Sequence, residues 1–197
     1  MTAADAFKRI LEVLDRLEIH YMVTGSGASS VHGMWRATGD LDLVVRIHDE
    51  DVKPLLLELA SDFYADIDEA RAAVKRGRAF NLIHRQSAFK FDLFPISDSA
   101  FDREQFTRRR FERAPLLSTE PIEFAVATAE DAILAKLRWY RLGGEVSEQQ
   151  WNDVLGVAAV QRGQLDMEYL NRWAGRLGLA DLLSKALAEG HAESERS

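Results

Sequence analysis

There is no cysteine among the 197 residues, which removes disulfides, thiolate metal sites and cysteine nucleophiles together and makes a reducing compartment the expectation. Nor is there an apolar run approaching the roughly 20 residues that cross a bilayer, so a protein with no membrane segment, residing in the cytoplasm, is expected. Positive charge is also short. A formal net charge of −7 argues against a protein that coats nucleic acid by global electrostatics, although it leaves room for a local basic patch. Repeats and low-complexity stretches are lacking, and the five histidines, His20, His32, His48, His84 and His191, show no metal-ligand spacing.

What is present is an ordinary globular composition, 47% hydrophobic and 29% charged, in a chain long enough to bury a self-sufficient core. Ala6, Ile10, Leu14 and Leu17 recur at helical spacing among charged residues, so the first segment reads as an amphipathic helix and not as a signal peptide. Tyr21 to Thr24 reads as a strand that breaks at Gly25-Ser26-Gly27, with a helix expected over Ala28 to Met34. Asp40 to Ile47 alternates as a strand, Asp51 to Asp62 as a helix with Pro54 in its first turn, and Asp68 to Lys75 as a short helix. Ala79 to His84 and Phe89 to Pro95 form an expected hairpin. A basic helix is expected over Phe101 to Phe111, followed by short strands at Leu116 to Leu117 and Ile122 to Val126. Thr128, with Asp131 three residues on, caps a further helix that ends at Gly143-Gly144. Helices over Glu148 to Val160, Met167 to Leu177 and Ala180 to Ala188 complete the chain. The expected fold class is α/β (α+β), a mixed sheet with helices over 1–127, a C-terminal helical bundle over 128–190, and a frayed tail over 191–197.

Chemistry concentrates in three acids. Asp40 and Asp42, at i and i+2 of one strand, share a face opposite Leu41, Leu43 and Val45, a placement that suits oxygen-ligated divalent cations. Such a pair alone is more often just the wet face of a strand. Asp92 adds weight, because it stands in Phe91-Asp92-Leu93-Phe94-Pro95, where an unpaired carboxylate is costly to bury. Its own face of the strand also carries Lys90 and Phe94. The Gly25-Ser26-Gly27 turn offers backbone amides and a helix dipole to an anion, and the Ser26 hydroxyl can donate to a phosphate oxygen.

Val23-Thr24-Gly25-Ser26, then thirteen residues, then Asp40-Leu41-Asp42-Leu43, and later Phe91-Asp92-Leu93, resemble the DNA polymerase β-like nucleotidyltransferase superfamily over about residues 20–95. Arg36 and Thr38 complete an R-x-T-x-D-x-D form, and the simple layout with a helical tail is most similar to small prokaryotic members of the toxin–antitoxin and abortive-infection type. The resemblance implies a catalytic domain over 1–127 in which Gly25 and Ser26 bind a nucleoside triphosphate and Asp40, Asp42 and Asp92 hold two magnesium ions, with manganese as the alternative. It implies transfer of a nucleoside monophosphate to an acceptor hydroxyl, on RNA, protein or a small molecule, with release of pyrophosphate. Lys136 resembles a lysine that family members direct at the triphosphate; a solvated helix lysine is the plain alternative. For Asp153 an internal salt bridge with the preceding helix is expected, for Trp35 a place in the core, and for Arg108-Arg109-Arg110 the wet face of a helix. The competing function is a non-catalytic module that binds a protein partner as an antitoxin or scaffold, and a third is a phosphohydrolase using the same acids.

Overall fold

The computed structural model describes residues 1–194, the last four as backbone alone; the rest of the tail expected over 191–197 lies outside the described residues. In chain order the helices are α1 (Ala3–Arg16), α2 (Gly25–His32), α3 (Asp49–Leu59), α4 (Ile67–Lys75), α5 (Ala100–Arg108), α6 (Ala129–Leu142), α7 (Glu148–Val160), α8 (Met167–Leu177) and α9 (Ala180–Ser194). The strands are β1 (Tyr21–Val23), β2 (Asp40–Val45), β3 (Phe63–Tyr64), β4 (Phe80–His84), β5 (Lys90–Pro95), β6 (Arg110–Pro115) and β7 (Pro121–Val126). Two compact units result, one of Met1–Thr24 and Ala37–Val126, the other of Gly25–Arg36 and the described part of Ala127–Ser197. The mixed α/β class expected from the sequence is what the chain adopts.

The first unit contains the whole sheet, in the order β3-β4-β5-β2-β1-β7-β6. β2 runs parallel to β5 and β1 parallel to β7, and the other neighbours are antiparallel, including the expected β4–β5 hairpin. Alternation decides which face is buried. Leu41, Leu43 and Val45 of β2 and Phe91 and Leu93 of β5 are fully enclosed, since period-2 geometry sends all of them to one side. Phe7 of α1 packs with Phe91 and Phe124 at centroid distances of 6.3 and 5.7 Å, and Phe63 meets Phe91 edge-on at 6.0 Å. α1 begins with a capping box, Thr2 and Asp5 each receiving a bond from the other's backbone amide.

Local expectations are corrected in the structure. α3 begins at Asp49, so Pro54 is its sixth residue and lies beyond the first turn. The basic segment is not one helix: α5 ends at Arg108, Arg109 is its extended cap at ψ 146°, and Arg110 opens β6. Pairing with β7 across the whole of Arg110–Pro115 draws this stretch into the sheet, and local helical propensity yields to it. The chain then turns at Leu117, whose φ of 62° is left-handed, so no strand forms at Leu116 to Leu117. β6 is an edge strand, paired only with β7 and carrying Arg110, Glu112, Arg113 and a terminal Pro115.

The second unit is helical. Thr128 caps α6 by accepting from the Asp131 amide, as its spacing predicts. Ile133, Leu134 and Leu137 of α6 are buried, as are Val154, Leu155 and Val157 of α7, the helix α6 packs against. Asp131 is wholly buried and receives the Tyr169 hydroxyl of α8 at 2.5 Å. Gly33, just past α2, lies against α7 so closely that a Cβ there would stand 2.8 Å from the Val157 nitrogen. Only glycine lets two backbones approach in this way. Among the described residues no helix is long and apolar enough to cross a membrane.

Candidate functional site

In the first unit, the parallel register of β2 and β5 sets Asp42 directly opposite Asp92 and Asp40 opposite Lys90. Side chains two apart on a strand share a face, so Asp40, Asp42, Lys90 and Asp92 occupy one side of two adjacent strands. Thr38 supports the first acid: its hydroxyl donates to the Asp40 carbonyl oxygen at 2.8 Å and lies 3.3 Å from Oδ1. Thr24, just beyond β1, donates its amide to the Asp42 carbonyl oxygen at 3.0 Å, fixing the middle of β2.

Lys90 meets two of the acids on this face. Its Nζ lies 2.8 Å from Asp92 Oδ2 and 3.7 Å from Asp40 Oδ2. The hydrogen bond to Asp92 holds the ammonium above its ordinary value, with the charges of Asp92 and Asp40 adding to it against partial burial. The other Asp92 oxygen, Oδ1, is buried and has no hydrogen-bond partner among the described residues. A buried carboxylate oxygen without a donor is an expensive feature, and a hard cation is the kind of group that would satisfy it. By ligand type the residues fit magnesium or manganese. They are not gathered into a preformed cage: among the described residues no three His, Cys, Asp or Glu side chains are close enough to hold a metal ion together.

The second unit carries a different cluster. α2 starts at Gly25, three residues earlier than its sequence suggests, because the positive φ of 58° at Gly25 turns the chain into the helix at once. Ser26 is therefore in the first helical turn, and its Oγ accepts from Arg36 Nη2 at 2.5 Å and from Lys136 Nζ at 3.3 Å. Both cations also hold Asp153: Arg36 donates Nε at 2.8 Å and Nη2 at 3.0 Å, and Lys136 donates at 2.7 Å. Lys136 is only 4% exposed, so of its two sequence-level readings the solvated surface lysine is ruled out. Burial pushes the Asp153 carboxyl up, but the bonds from Arg36 and Lys136 outweigh it and hold the group below the usual aspartate range.

The predicted residues thus fall into two sets, Asp40, Asp42 and Asp92 on the sheet, and Gly25, Ser26 and Lys136 among the helices. The salt bridge expected between Asp153 and the preceding helix is present, through Lys136. The pairing of Arg36 with Asp153, 117 positions apart, has no local signal. Lys90 was legible as a face-mate of Asp92, but its shared contact with Asp40 depends on strand register. Trp35 is not in the core; it is 67% exposed. His32 bonds the Ala127 carbonyl oxygen at 2.6 Å and His84 is buried against Ser87, so both serve structure.

No protein-family model matches the sequence, and no curated protein does. Among solved structures, an antigenic nucleotidyltransferase-like protein from Paracoccidioides brasiliensis is 18% identical, with 96% of this chain and 94% of that chain covered at a TM-score of 0.53. The antibiotic-resistance factor ANT(2'')-Ia is 12% identical, with 99% and 100% covered and a TM-score of 0.52. At such identities the likeness is one of backbone, and the chain has the fold seen in these nucleotidyltransferase-like proteins.

Proposed function

We propose that the chain is a divalent-metal-dependent nucleotidyltransferase, moving a nucleoside monophosphate from a nucleoside triphosphate to an acceptor hydroxyl and releasing pyrophosphate. The observation that carries this reading is the β2–β5 register, which places Asp42 opposite Asp92 with Asp40 on the same face, together with the unsatisfied buried oxygen of Asp92. Asp40, Asp42 and Asp92 would hold magnesium, which when bound supplies Lewis-acid activation at the α-phosphate and at the leaving pyrophosphate. In the transfer, the acceptor oxygen forms its bond to the α-phosphorus as the bond to the bridging oxygen breaks, and the hydroxyl proton passes to the Asp92 carboxylate. The second set meets the opposite charge. Ser26 Oγ already accepts two hydrogen bonds, so its own proton is free to donate to a phosphate oxygen. Arg36 and Lys136 bring guanidinium and ammonium donors to Ser26, the kind of groups that suit a polyphosphate.

The acceptor classes are RNA, protein or a small molecule, and the biological setting we propose is a cytoplasmic toxin–antitoxin or abortive-infection system. A non-catalytic partner-binding module is the second reading. It is favoured by Trp139, Leu142 and Val146, apolar side chains in and just after α6 that are 61 to 80% exposed. Incubating the protein with each α-labelled triphosphate, magnesium and cell extract separates the readings. Label reaching an acceptor, and lost in Asp42→Asn, supports transfer. Accumulation of free labelled monophosphate or diphosphate alone points to hydrolysis, and no magnesium-dependent turnover in either protein leaves the binding module.

A further inference from the structure

We propose that Lys90 is a built-in counter-ion that competes with a divalent cation for the acids, so that the cation alone is held weakly and the same cation arriving with a polyphosphate is held firmly. The proposal rests on the metal reading of Asp40, Asp42 and Asp92 and adds to it a rule for when the metal is taken up.

The geometry points this way from three sides. Lys90 and Asp92 are two residues apart on β5, so the ammonium is delivered to the same face as the acids by the strand itself. It takes Asp92 Oδ2 at 2.8 Å and reaches Asp40 Oδ2 at 3.7 Å, contacts made to two of the three oxygen-bearing groups a cation would use. A divalent cation drawn to roughly 2.0–2.1 Å from these oxygens stands within a few ångströms of the ammonium, and the two positive charges repel across the same carboxylates. Cation and lysine therefore compete for the charge of Asp92 and Asp40 even where each finds its own lone pair.

Lys90 is able to leave. Its side chain is 39% exposed, and a four-carbon stem can carry the head group outward while the backbone stays paired with Asp40 of β2. The departing ammonium exchanges two carboxylates for water unless an anion receives it. Polyphosphate oxygens bound to the incoming cation are such an anion, and a charge-assisted hydrogen bond to them offsets what was given up on Asp92. Uptake of metal and uptake of polyphosphate are thereby coupled through one side chain, and a bare divalent cation lacks the second half of the exchange.

The test measures protein-bound Mn²⁺ by equilibrium dialysis of the full chain, with and without α,β-methylene-ATP, as the excess of metal on the protein side over the protein-free side that holds the same analogue. The proteins compared are the unaltered chain, Lys90→Met, Lys90→Gln, Lys90→Arg and Asp92→Asn. Lys90→Gln removes the charge but keeps a donor for Asp92, and serves if Lys90→Met fails to fold. The unaltered chain and Lys90→Arg are expected to bind Mn²⁺ weakly alone and much better with the analogue. The neutral variants are expected to bind Mn²⁺ alone about tenfold tighter or more, since a competing positive charge is gone, and to gain little from the analogue. Equal Mn²⁺ affinity with and without the lysine charge, or weaker binding in the neutral variants, overturns the proposal while leaving the metal reading in place. Absence of Mn²⁺ binding in every protein, with and without the analogue, overturns both.

Discussion

On the sheet, Asp40 and Asp92 share one ammonium and Asp92 keeps a buried oxygen with no donor among the described residues; among the helices, one carboxylate, Asp153, is held by both Arg36 and Lys136. The sheet set has more acid than base and the helical set more base than acid. The ligands proposed for them differ in the same sense, a cation for the first and a polyphosphate for the second. The two also differ in solvent access: Lys90 and Asp40 are well over a third exposed at their side chains, whereas Lys136 and Asp153 are nearly closed off. A change on the sheet should therefore register mainly in chemistry, and a change among the helices in stability as well.

The sharpest way to break that comparison is Asp42→Asn. Loss of one of the carboxylates proposed to hold metal should lower the proposed transfer rate by about a thousandfold or more, with the melting temperature moving by no more than about 4 °C. A collapse in melting temperature of the same variant would make the acid structural and erase the contrast. Next in size is Asp153→Ala, which leaves Lys136 buried beside Arg36 without its counter-charge. It should cost about 3 kcal/mol of stability, read by denaturant unfolding. Acid titration refines the same point. Asp153 sits below its ordinary value in the folded chain, so the stability it contributes is complete above about pH 4 and is lost as pH falls through that range toward the lowered value. Unfolding curves of the unaltered chain and Asp153→Asn should accordingly draw together below pH 4. The smallest effect belongs to Thr128→Ala, which removes the α6 cap that begins the helix bearing Lys136 and should cost about 1 kcal/mol with little change in rate at saturating substrate.

Elements whose signal is local were readable in the sequence. The alternation of Asp40-Leu41-Asp42-Leu43 fixes the faces of β2, and α7 and α8 run over the spans their apolar spacing predicts. The cap at Thr128 is likewise a matter of three residues. What escaped is set by partners far along the chain. Arg110 to Pro115 becomes strand because β7 pairs with it, against a helical charge pattern. Lys136 is buried because Ser26 and Asp153, 110 and 17 positions away, receive its hydrogens. The grouping of 25–36 with the C-terminal helices follows from the close approach of Gly33 to α7, for which a lone glycine gives no warning.

The edge strand β6 has one more consequence. A free strand rim is an invitation to join a second sheet, and the charged side chains of Arg110, Glu112 and Arg113 with the donor-less Pro115 at the end make an uncharged partner strand cover charge and lose a ladder bond. Concentrated or partly unfolded preparations of this chain should therefore resist growing fibrils from that rim, and replacing Arg110, Glu112 and Arg113 with threonine would be the way to remove the guard.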